Sequence, residues 1–288
     1  GALTRQSGAS DGEQRFSGGL SVLIGKLREA LGASVTLEFD RRLEGVAQAA
    51  DGVRMVARAA DGREHVYDCR QCLLALPPAK AAKEVGFSGC EGFLTPDVMQ
   101  RMARQPIWMA NIGKLALLYE ARFWDAARVN GGVRGARQSE AWYGAIQVYD
   151  GGETSDERKL PTIVAFVVFG DLLEASAWET ESGRARVEQA MAGRVIEQLS
   201  ASYGLDQRKL EGYAGLSLSC WRGDKNVNSV APSDNFPEHP RPIADLNRPV
   251  DGRRVWFVNT EAAQTCTGMM EGAVAAATDG ATLVAQVL

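Results

Sequence analysis

The end of the chain carries the feature that most restricts its fold. The apolar run over residues 255–258 is typical of a buried strand, and a short polar loop follows it. Gly268 and Gly272 then open an Ala-rich segment, which predicts a helix with glycines in its first turn. In α/β proteins this order of elements brings a helix N-terminus to a bound cofactor. The pattern therefore predicts a cofactor contact close to the end of the chain.

The other usual cofactor contact is missing from the sequence. Dinucleotide-binding domains carry GxGxxG after an opening strand, and no such segment occurs here. Gly131-Gly132-x-x-Gly135 lies in a polar loop over residues 128–138, without a predicted strand before it, so it is not interpreted as a phosphate loop. The chain begins Gly1-Ala2 without Met, as a processed chain or part of a longer product would. We therefore expect the second half of a cofactor-binding enzyme.

Composition narrows the class of protein and its partners. The 288 residues are 45% hydrophobic, which is enough for one large or two modest domains with a real core. The net charge of −4 argues against nucleic acid or an anionic membrane as the main partner. No apolar run approaches the ~18 residues of a membrane-spanning helix. A soluble protein is expected, and a cytoplasmic location is favoured although the compartment stays unknown.

The cysteines do not indicate a disulfide framework or a metal site. There are five of them, an odd number for a large chain. Cys69-x-x-Cys72 could be a redox or zinc motif, but a zinc site needs four ligands and the only histidines are His65 and His239. Buried thiols are therefore the expected state, and no metal is predicted.

Periodicity predicts a mixed α/β chain. Asp51-Gly52 and Asp61-Gly62 indicate hairpin turns. The run over 162–169 is continuously apolar, which predicts burial on both faces of that strand. Helices are predicted over residues 20–31 and 184–203. Strands are predicted over residues 35–39, 43–46, 53–57, 65–67, 72–76, 111–119, 142–148, 162–169 and 255–258.

Four stretches then carry a family resemblance through their order and spacing. The first begins at Gly18-Gly19-Leu20 with its helix and continues through 43–46 to Leu74-Ala75-Leu76-Pro77-Pro78. The second is Gly113-Lys114 before Phe123-Trp124, and the third is Trp221. The fourth is Phe257-Val258-Asn259-Thr260-Glu261 followed by Thr267-Gly268-Met269-Met270-Glu271-Gly272-Ala273. Together they make the chain resemble the C-terminal half of flavin-containing amine oxidases. That superfamily includes monoamine oxidases, polyamine oxidases and L-amino acid oxidases.

The resemblance implies an α/β, two-lobed fold. Residues 1–95 and 225–288 would form part of an FAD-binding domain of the GxGxxG class, and residues 96–224 a mixed-sheet substrate-binding domain. The missing GxGxxG segment implies a partner, either an N-terminal FAD-binding half or a separate subunit. Some relatives attach FAD through a cysteine in the region between Trp221 and Cys266. This sequence has none there, so non-covalent FAD is expected.

The resemblance also implies site residues. Lys114 is the implied catalytic residue, near flavin N5 and holding a water; a strand-end lysine that reaches solvent is the alternative. The helix start after Gly268 would face the flavin pyrimidine ring, Leu43 would contact the adenine through its backbone, and Trp221 would lie beside the flavin. The implied cofactor-binding set is Leu43, Trp221, Asn259, Thr260, Glu261, Gly268, Met269, Met270 and Ala273.

The implied activity is FAD-dependent oxidation of amines. Hydride would pass from the amine α carbon to the flavin, and O2 would reoxidise the flavin to give an imine and hydrogen peroxide. However, Met269 and Val230-Ala231 stand where many relatives have aromatic residues around the amine, so amine and amino acid substrates both stay open. The alternatives are an L-amino acid oxidase of the same fold and a non-catalytic subunit that binds a partner chain. Candidate carboxylate-binding arginines, which could equally be solvated, are Arg128, Arg134, Arg137 and Arg222.

Overall fold

A computed structural model describes most of the chain. The described residues are 3–4, 15–16, 19–105, 107, 112–124, 127–135, 142–154, 156–172, 178–221, 224, 226 and 240–288. Several positions discussed above lie outside them, namely Gly18, Asn111, Arg137, Arg222, Val230, Ala231 and His239.

The helices and strands are named here in chain order. The strands are β1 Leu3–Thr4, β2 Arg15–Phe16, β3 Arg41–Gln48, β4 Val53–Ala59, β5 Glu64–Cys69, β6 Cys72–Leu74, β7 Gly86–Ser88, β8 Ile112–Leu118, β9 Asn130–Gly132, β10 Gly144–Glu153, β11 Pro161–Val168, β12 Gly215–Cys220 and β13 Val255–Phe257. The helices are α1 Ser21–Ala30, α2 Pro78–Glu84, α3 Pro96–Arg104, α4 Glu181–Tyr203, α5 Gln207–Glu211 and α6 Met270–Val287.

Contacts divide the chain into two units. The first unit comprises Gly1–Thr36 and Asn111–Gly223, and the second comprises Leu37–Ala110 and Asp224–Leu288. Both units therefore combine segments that are distant in sequence. Which unit binds FAD and which binds substrate remains a prediction from the resemblance. Within the described residues, no helix is both long and apolar enough to cross a lipid bilayer.

The first unit is built on a five-stranded antiparallel sheet with the order β12-β8-β11-β10-β9. One face of this sheet is covered by α4, which packs against β10, β12 and β8. Thr180 caps the start of α4 by accepting a hydrogen bond from the Gly183 amide at 3.0 Å, and Gly204 ends it with φ +67°. The buried stripe of α4 recurs at helical spacing and contains Val187, Met191, Val195 and Leu199.

The prediction that the 162–169 strand is buried on both faces is wrong. In β11 the exposure alternates, so Ile163, Ala165 and Val167 are buried while the residues between them are only half-buried. In the described part of the chain α4 covers one face of the sheet, whereas a continuously apolar sequence does not reveal how many faces have a covering layer. The predicted loop over 128–138 also differs, since its residues Asn130–Gly132 form β9 and pair with β10.

Helix α1 matches the predicted helix over 20–31, but none of its residues is buried. Leu20, Ile24 and Leu27, which make the apolar side of the pattern, are all exposed. The predicted strand over 35–39 is not present, because no other described strand pairs with it. A strand needs such a neighbour to satisfy its backbone groups. Local pattern therefore identified α1 correctly and failed for this segment.

The second unit contains two sheets that share one hydrophobic core. The first sheet has the order β5-β4-β3-β7, and its β3–β4 and β4–β5 connections are the predicted hairpins. The second consists of β6 and β13, which pair in parallel. Helices α2 and α3 were not predicted from the sequence, although Pro78 and Pro96 each stand in a first helical turn, where proline is well tolerated.

A buried arginine fixes the segment before β13. Arg253 is 2% exposed, and its guanidinium donates hydrogen bonds to the carbonyls of Val255, Arg248 and Leu246 at 2.6–2.9 Å. It also lies 4.1 Å from the ring centroid of Phe93. Three carbonyl acceptors and an aromatic face compensate the cost of burying this charge. The geometry holds the chain in place where it enters β13.

Candidate functional site

The loop after β13 is organised by Asn259. Its carboxamide nitrogen donates a hydrogen bond to the carbonyl of Leu76, and its carboxamide oxygen accepts one from the Ala262 amide at 3.1 Å. Asn259 thereby caps the short 3-10 helix Thr260–Ala262 and joins it to the end of β6. The side chain is buried and committed to these internal bonds. Any contact that it makes to a ligand would have to use the backbone.

Thr260 closes the same loop at its other end. Its hydroxyl accepts a hydrogen bond from the Gly268 amide at 2.8 Å and donates one to the Met269 carbonyl at 2.9 Å. A second tie is made by Thr267, whose hydroxyl donates to the Ala263 carbonyl at 3.0 Å. These three bonds fix the polar loop that the sequence predicts between strand and helix. They also set the position at which α6 begins.

The start of α6 presents its backbone without a side-chain cap. Gly268 has φ +85°, a conformation that favours glycine, and Met269 is extended and makes no side-chain cap bond. The helix begins at Met270, so Gly268 precedes the first turn instead of belonging to it. The first amides of a helix lack intrahelical partners and carry partial positive charge. Met269 and Met270 are 46% and 62% exposed, so this helix end is accessible.

The close approach of α6 to the loop depends on small residues. A Cβ atom on Gly272 would lie 2.3 Å from the Cys266 carbonyl oxygen and 2.7 Å from the Thr260 hydroxyl oxygen. A Cβ atom on Gly280 would lie 2.3 Å from a methyl carbon of Val258. Gly272, Ala276 and Gly280 are the only buried residues of the helix. These small residues therefore form the surface through which α6 packs against the rest of the unit.

Glu261 is the buried acid of this motif. It is 6% exposed, and burial raises the pKa of its carboxyl above the ordinary range. Its neutral form can donate a hydrogen bond, whereas its charged form can only accept. The neighbouring Ala273 lies in the first turns of α6 and is exposed. Asn259, Thr260, Glu261, Gly268, Met269, Met270 and Ala273 thus form one continuous loop and helix end.

Leu43 belongs to the same unit but to a different sheet. It lies in β3 opposite Ala57, next to an irregularity between Leu43 and Gly45 in the pairing with β4. Its side chain packs against the core of the second unit. A bulge at this position frees backbone groups from the ladder. The side chain therefore has a packing role, and a backbone contact to a ligand remains a prediction.

Lys114 and Trp221 lie in the first unit, on neighbouring strands. Lys114 pairs with Ser219 of β12 and with Phe166 of β11. Its Nζ atom lies 5.0 Å from the centroid of the Phe166 ring. Trp221 directly follows β12 and is 46% exposed. Trp221 therefore lies two residues beyond Ser219, the cross-strand partner of Lys114.

The sheet face that α4 does not cover is called here the open sheet face. Alternation along the strands places on it a row of exposed and half-buried side chains, namely Lys114, Ala116, Gln147, Tyr149, Val164, Phe166, Ser217 and Ser219. Lys114 is the only charged member of that set. Sequence reasoning missed Phe166, which lies beside Lys114, and Tyr149, which lies beside Phe166, because both contacts depend on strand pairing. The alternation in β8 around Lys114 was the available local signal.

The remaining candidates from the sequence are peripheral or buried. Arg128 and Arg134 are exposed. Cys72 and Cys90 are buried, and burial raises the pKa of these thiols to about 12 and about 11. In the part of the chain that the structure describes, no group of three or more potential metal ligands is found. Cys266 is exposed, in the loop that Thr260 closes.

Comparison with known families identifies the class of protein. The family model described as flavin containing amine oxidoreductase matches residues 4–285. The chain therefore belongs to the flavin-containing amine oxidoreductase family, and the expectation from the four sequence stretches is confirmed. No curated protein shows a significant sequence match.

Solved structures share the fold. A double mutant of putrescine oxidase with redesigned cofactor binding matches with a TM-score of 0.63 and 20% identity, covering 94% of this chain and 54% of that one. A triple mutant from the same redesign matches with a TM-score of 0.63 and 19% identity, covering 95% and 54%. At this identity the similarity shows the fold, and it confirms the predicted amine oxidase-like α/β architecture. The chain spans about half the length of these structures.

Proposed function

We propose that this chain is the C-terminal portion of an FAD-dependent oxidase of amines. Oxidation at the amine α carbon would give an imine, and O2 would be reduced to hydrogen peroxide. The observation that carries the proposal is the N-terminus of α6, which has no side-chain cap. Thr260 fixes its position, and Gly272 allows the helix to approach the loop closely. This helix end occurs in a chain of the flavin-containing amine oxidoreductase family. A helix end of this kind favours a ligand that carries or develops negative charge.

The residues present fit a flavin at this helix end. The Gly268 and Met269 amides donate to the Thr260 hydroxyl and the Cys266 carbonyl, so the first-turn amides of Met270 and Glu271 are the donors at this helix end. A favourable helix-end interaction contributes about 0.3–1 kcal/mol. When bound, FAD would supply the hydride acceptor and the route of electrons to O2. Exposed Ala273 completes the proposed contact surface, and buried Glu261 lies in the short helix Thr260–Ala262 that packs against α6. Non-covalent binding is proposed because the sequence has no cysteine between Trp221 and Cys266.

The proposed roles of Asn259 and Thr260 are narrower than the resemblance implies. Both side chains are already bonded within the loop, to Leu76, Ala262, Gly268 and Met269. We therefore infer that they shape the loop and present its backbone, while direct contacts to the cofactor come from main-chain groups. Leu43 would likewise contribute its backbone to the adenine.

Lys114 is proposed as the catalytic residue for the oxygen reaction. It is an exposed cation in an otherwise uncharged set of residues on the open sheet face. A fixed positive charge near reacting oxygen would stabilise the negative charge that develops there. Trp221, exposed next to the same strands, is proposed to lie beside the flavin. The open sheet face would then form a wall of the substrate cavity.

A partner for the second unit is part of the proposal. The sheet of β6 and β13 has two parallel strands, and all-parallel sheets normally contain more strands and are covered on both faces. Leu73 of β6 and Val274 of α6 are exposed apolar residues at this sheet and its helix. An N-terminal FAD-binding half or a separate subunit that supplies the GxGxxG strand would complete it.

The alternative substrate is an amino acid. Arg128 and Arg134 are exposed in the first unit, and an arginine can bind a carboxylate bidentately. This L-amino acid oxidase alternative is distinguished by substrate preference. Substitution of either arginine by Met would weaken binding of amino acids and leave simple amines unaffected. An unchanged affinity for amino acids would remove these arginines from consideration.

The decisive test is purification of the protein from its natural source, followed by its visible spectrum. A flavin spectrum that is bleached anaerobically by an amine, with peroxide formed on admission of air, is the expected result. A panel of monoamines, diamines and L-amino acids then identifies the substrate class. A stable protein without flavin would overturn the proposal in favour of the non-catalytic subunit. Lys114→Met is expected to slow reoxidation far more than reduction.

A further inference from the structure

Lys114 and Phe166 face each other across two paired strands. The register of β8 and β11 places them directly opposite, and both point to the open sheet face. The Lys114 Nζ atom lies 5.0 Å from the centroid of the Phe166 ring. A cation within about 6 Å of a ring centroid is attracted by the negative charge on the face of the ring. The distance therefore defines a direct interaction.

Among the described residues, no other charged or hydrogen-bonding group holds the Lys114 ammonium. Within the residues that the structure describes, the Lys114 ammonium has no ion pair and no hydrogen bond. Its other cross-strand neighbour, Ser219, is not bonded to it. A free lysine side chain carries roughly 2 kcal/mol of rotamer entropy, so its charged end is poorly localised without a contact. The Phe166 ring is thus the group that determines where this charge lies.

The ring itself is supported from its other side. Tyr149 of β10 lies next to Phe166, with 5.8 Å between the ring centroids and an angle of 52° between the ring planes. Tilted aromatic pairs at this separation are favourable. The ring is therefore held by a neighbour on the adjacent strand, while its face remains available to the lysine.

We propose that Phe166 is a positioning residue for Lys114. Its ring holds the ammonium at one place on the open sheet face, where the oxygen reaction needs a fixed positive charge. This inference rests on the proposed function, since it assigns Phe166 a role through Lys114. It adds a residue that neither the motif nor the family resemblance marks.

The contact can be measured without any cofactor. Reductive methylation of lysines with ¹³C-formaldehyde keeps their charge and gives one NMR signal per side chain, and Lys114→Met identifies the signal of Lys114. The ring current of Phe166 should shift this signal upfield. Phe166→Leu should return it to the position of the other lysines, whereas Phe166→Tyr should keep it shifted. A Lys114 signal that is unaffected by Phe166→Leu would overturn the inference.

The functional consequence is measured on the oxygen reaction of the complete flavin-loaded protein. After reduction by dithionite, which needs no knowledge of the substrate, the protein is mixed with O2 and the return of flavin absorbance is followed. Phe166→Leu should slow reoxidation about two- to fivefold, the range that a cation–π contact at an exposed site can produce. In a Lys114→Met background the same substitution should have no effect.

The controls separate positioning from general damage. Ile163→Val trims a buried side chain of the same strand on the face that α4 covers, outside the open sheet face, and should leave the rate unchanged. Phe166→Met, together with thermal unfolding of every variant, covers the case in which Phe166→Leu fails to fold. Additive effects of Phe166→Leu and Lys114→Met would overturn the inference and leave the proposed function intact. A wild-type protein that binds no flavin would overturn the proposed function and, with it, the role of this contact.

Discussion

The hydroxyl oxygen of Thr260 accepts a hydrogen bond from the backbone amide of Gly268 at 2.8 Å. The same hydroxyl donates to the Met269 carbonyl, so one side chain fixes the loop and the start of α6 together. Because the chain belongs to the flavin-containing amine oxidoreductase family, we propose that this helix end contacts the flavin.

Thr260→Val should lower both the stability and the flavin content of the protein. The valine has the same shape but leaves the Gly268 amide without its partner and removes one of the two hydrogen bonds to the Met269 carbonyl, which costs about 1–3 kcal/mol in unfolding free energy. Denaturant unfolding and flavin absorbance per chain measure the two effects. Thr278→Val, which removes a hydroxyl bond to the Val274 carbonyl in the same helix, should cost less and leave flavin content unchanged. Equal effects of both substitutions would contradict the assigned role.

Gly272→Ala should displace the start of α6. The new methyl group would meet the Cys266 carbonyl at 2.3 Å, and this backbone atom cannot move without shifting the loop. A loss of more than 1 kcal/mol in unfolding free energy is expected, within the usual ~1–3 kcal/mol for overpacking. The matched control is Gly193→Ala in α4, where nothing lies within 4 Å. That substitution should stabilise by up to about 1 kcal/mol, because alanine is the better helix former.

Glu261→Gln should raise stability at neutral pH. Burial raises the pKa of Glu261 above its ordinary value of 4.5, so the folded state binds more protons than the unfolded state just above that value. By linkage, the unfolding free energy of the wild type falls as pH rises through this window and then levels off. The advantage of the variant should therefore vanish below pH 4.5, where the carboxyl is protonated in both states. Unfolding curves across pH, with exposed Glu271→Gln as the control, provide the measurement. A variant that keeps the wild-type pH dependence would show that Glu261 is not its source.

The thiols should react in the order of their exposure. Cys266 is exposed, whereas burial raises the pKa of Cys72 to about 12 and that of Cys90 to about 11. The thiolate is the reactive form, so Cys72 and Cys90 should resist Ellman's reagent at neutral pH until the protein unfolds. Cys266→Ser should remove the fast phase, and Cys72→Ser should leave it in place. A fast phase that survives in Cys266→Ser would show that another thiol is accessible.

The sequence alone determined the elements that depend on residues close together in the chain. The Asp-Gly turns, the apolar stripe of α4 and the order of strand, loop and helix at the C-terminus follow from turn chemistry and periodicity within a few residues. The same local motif indicated the family, and the family match confirmed it. Locally, Gly272 was recognisable as a place of close approach, because only glycine lacks a Cβ atom.

Tertiary structure decided which groups meet. The inward direction of the Asn259 and Thr260 side chains depends on the end of β6 and on the loop that leads to α6. The apolar side of α1 is exposed, and within the described residues β11 is covered on one face although its pattern predicted burial on both. Phe166 lies over Lys114 because two distant segments pair in one register, and a register is set by the whole sheet and its covering helix. No local propensity contains that information.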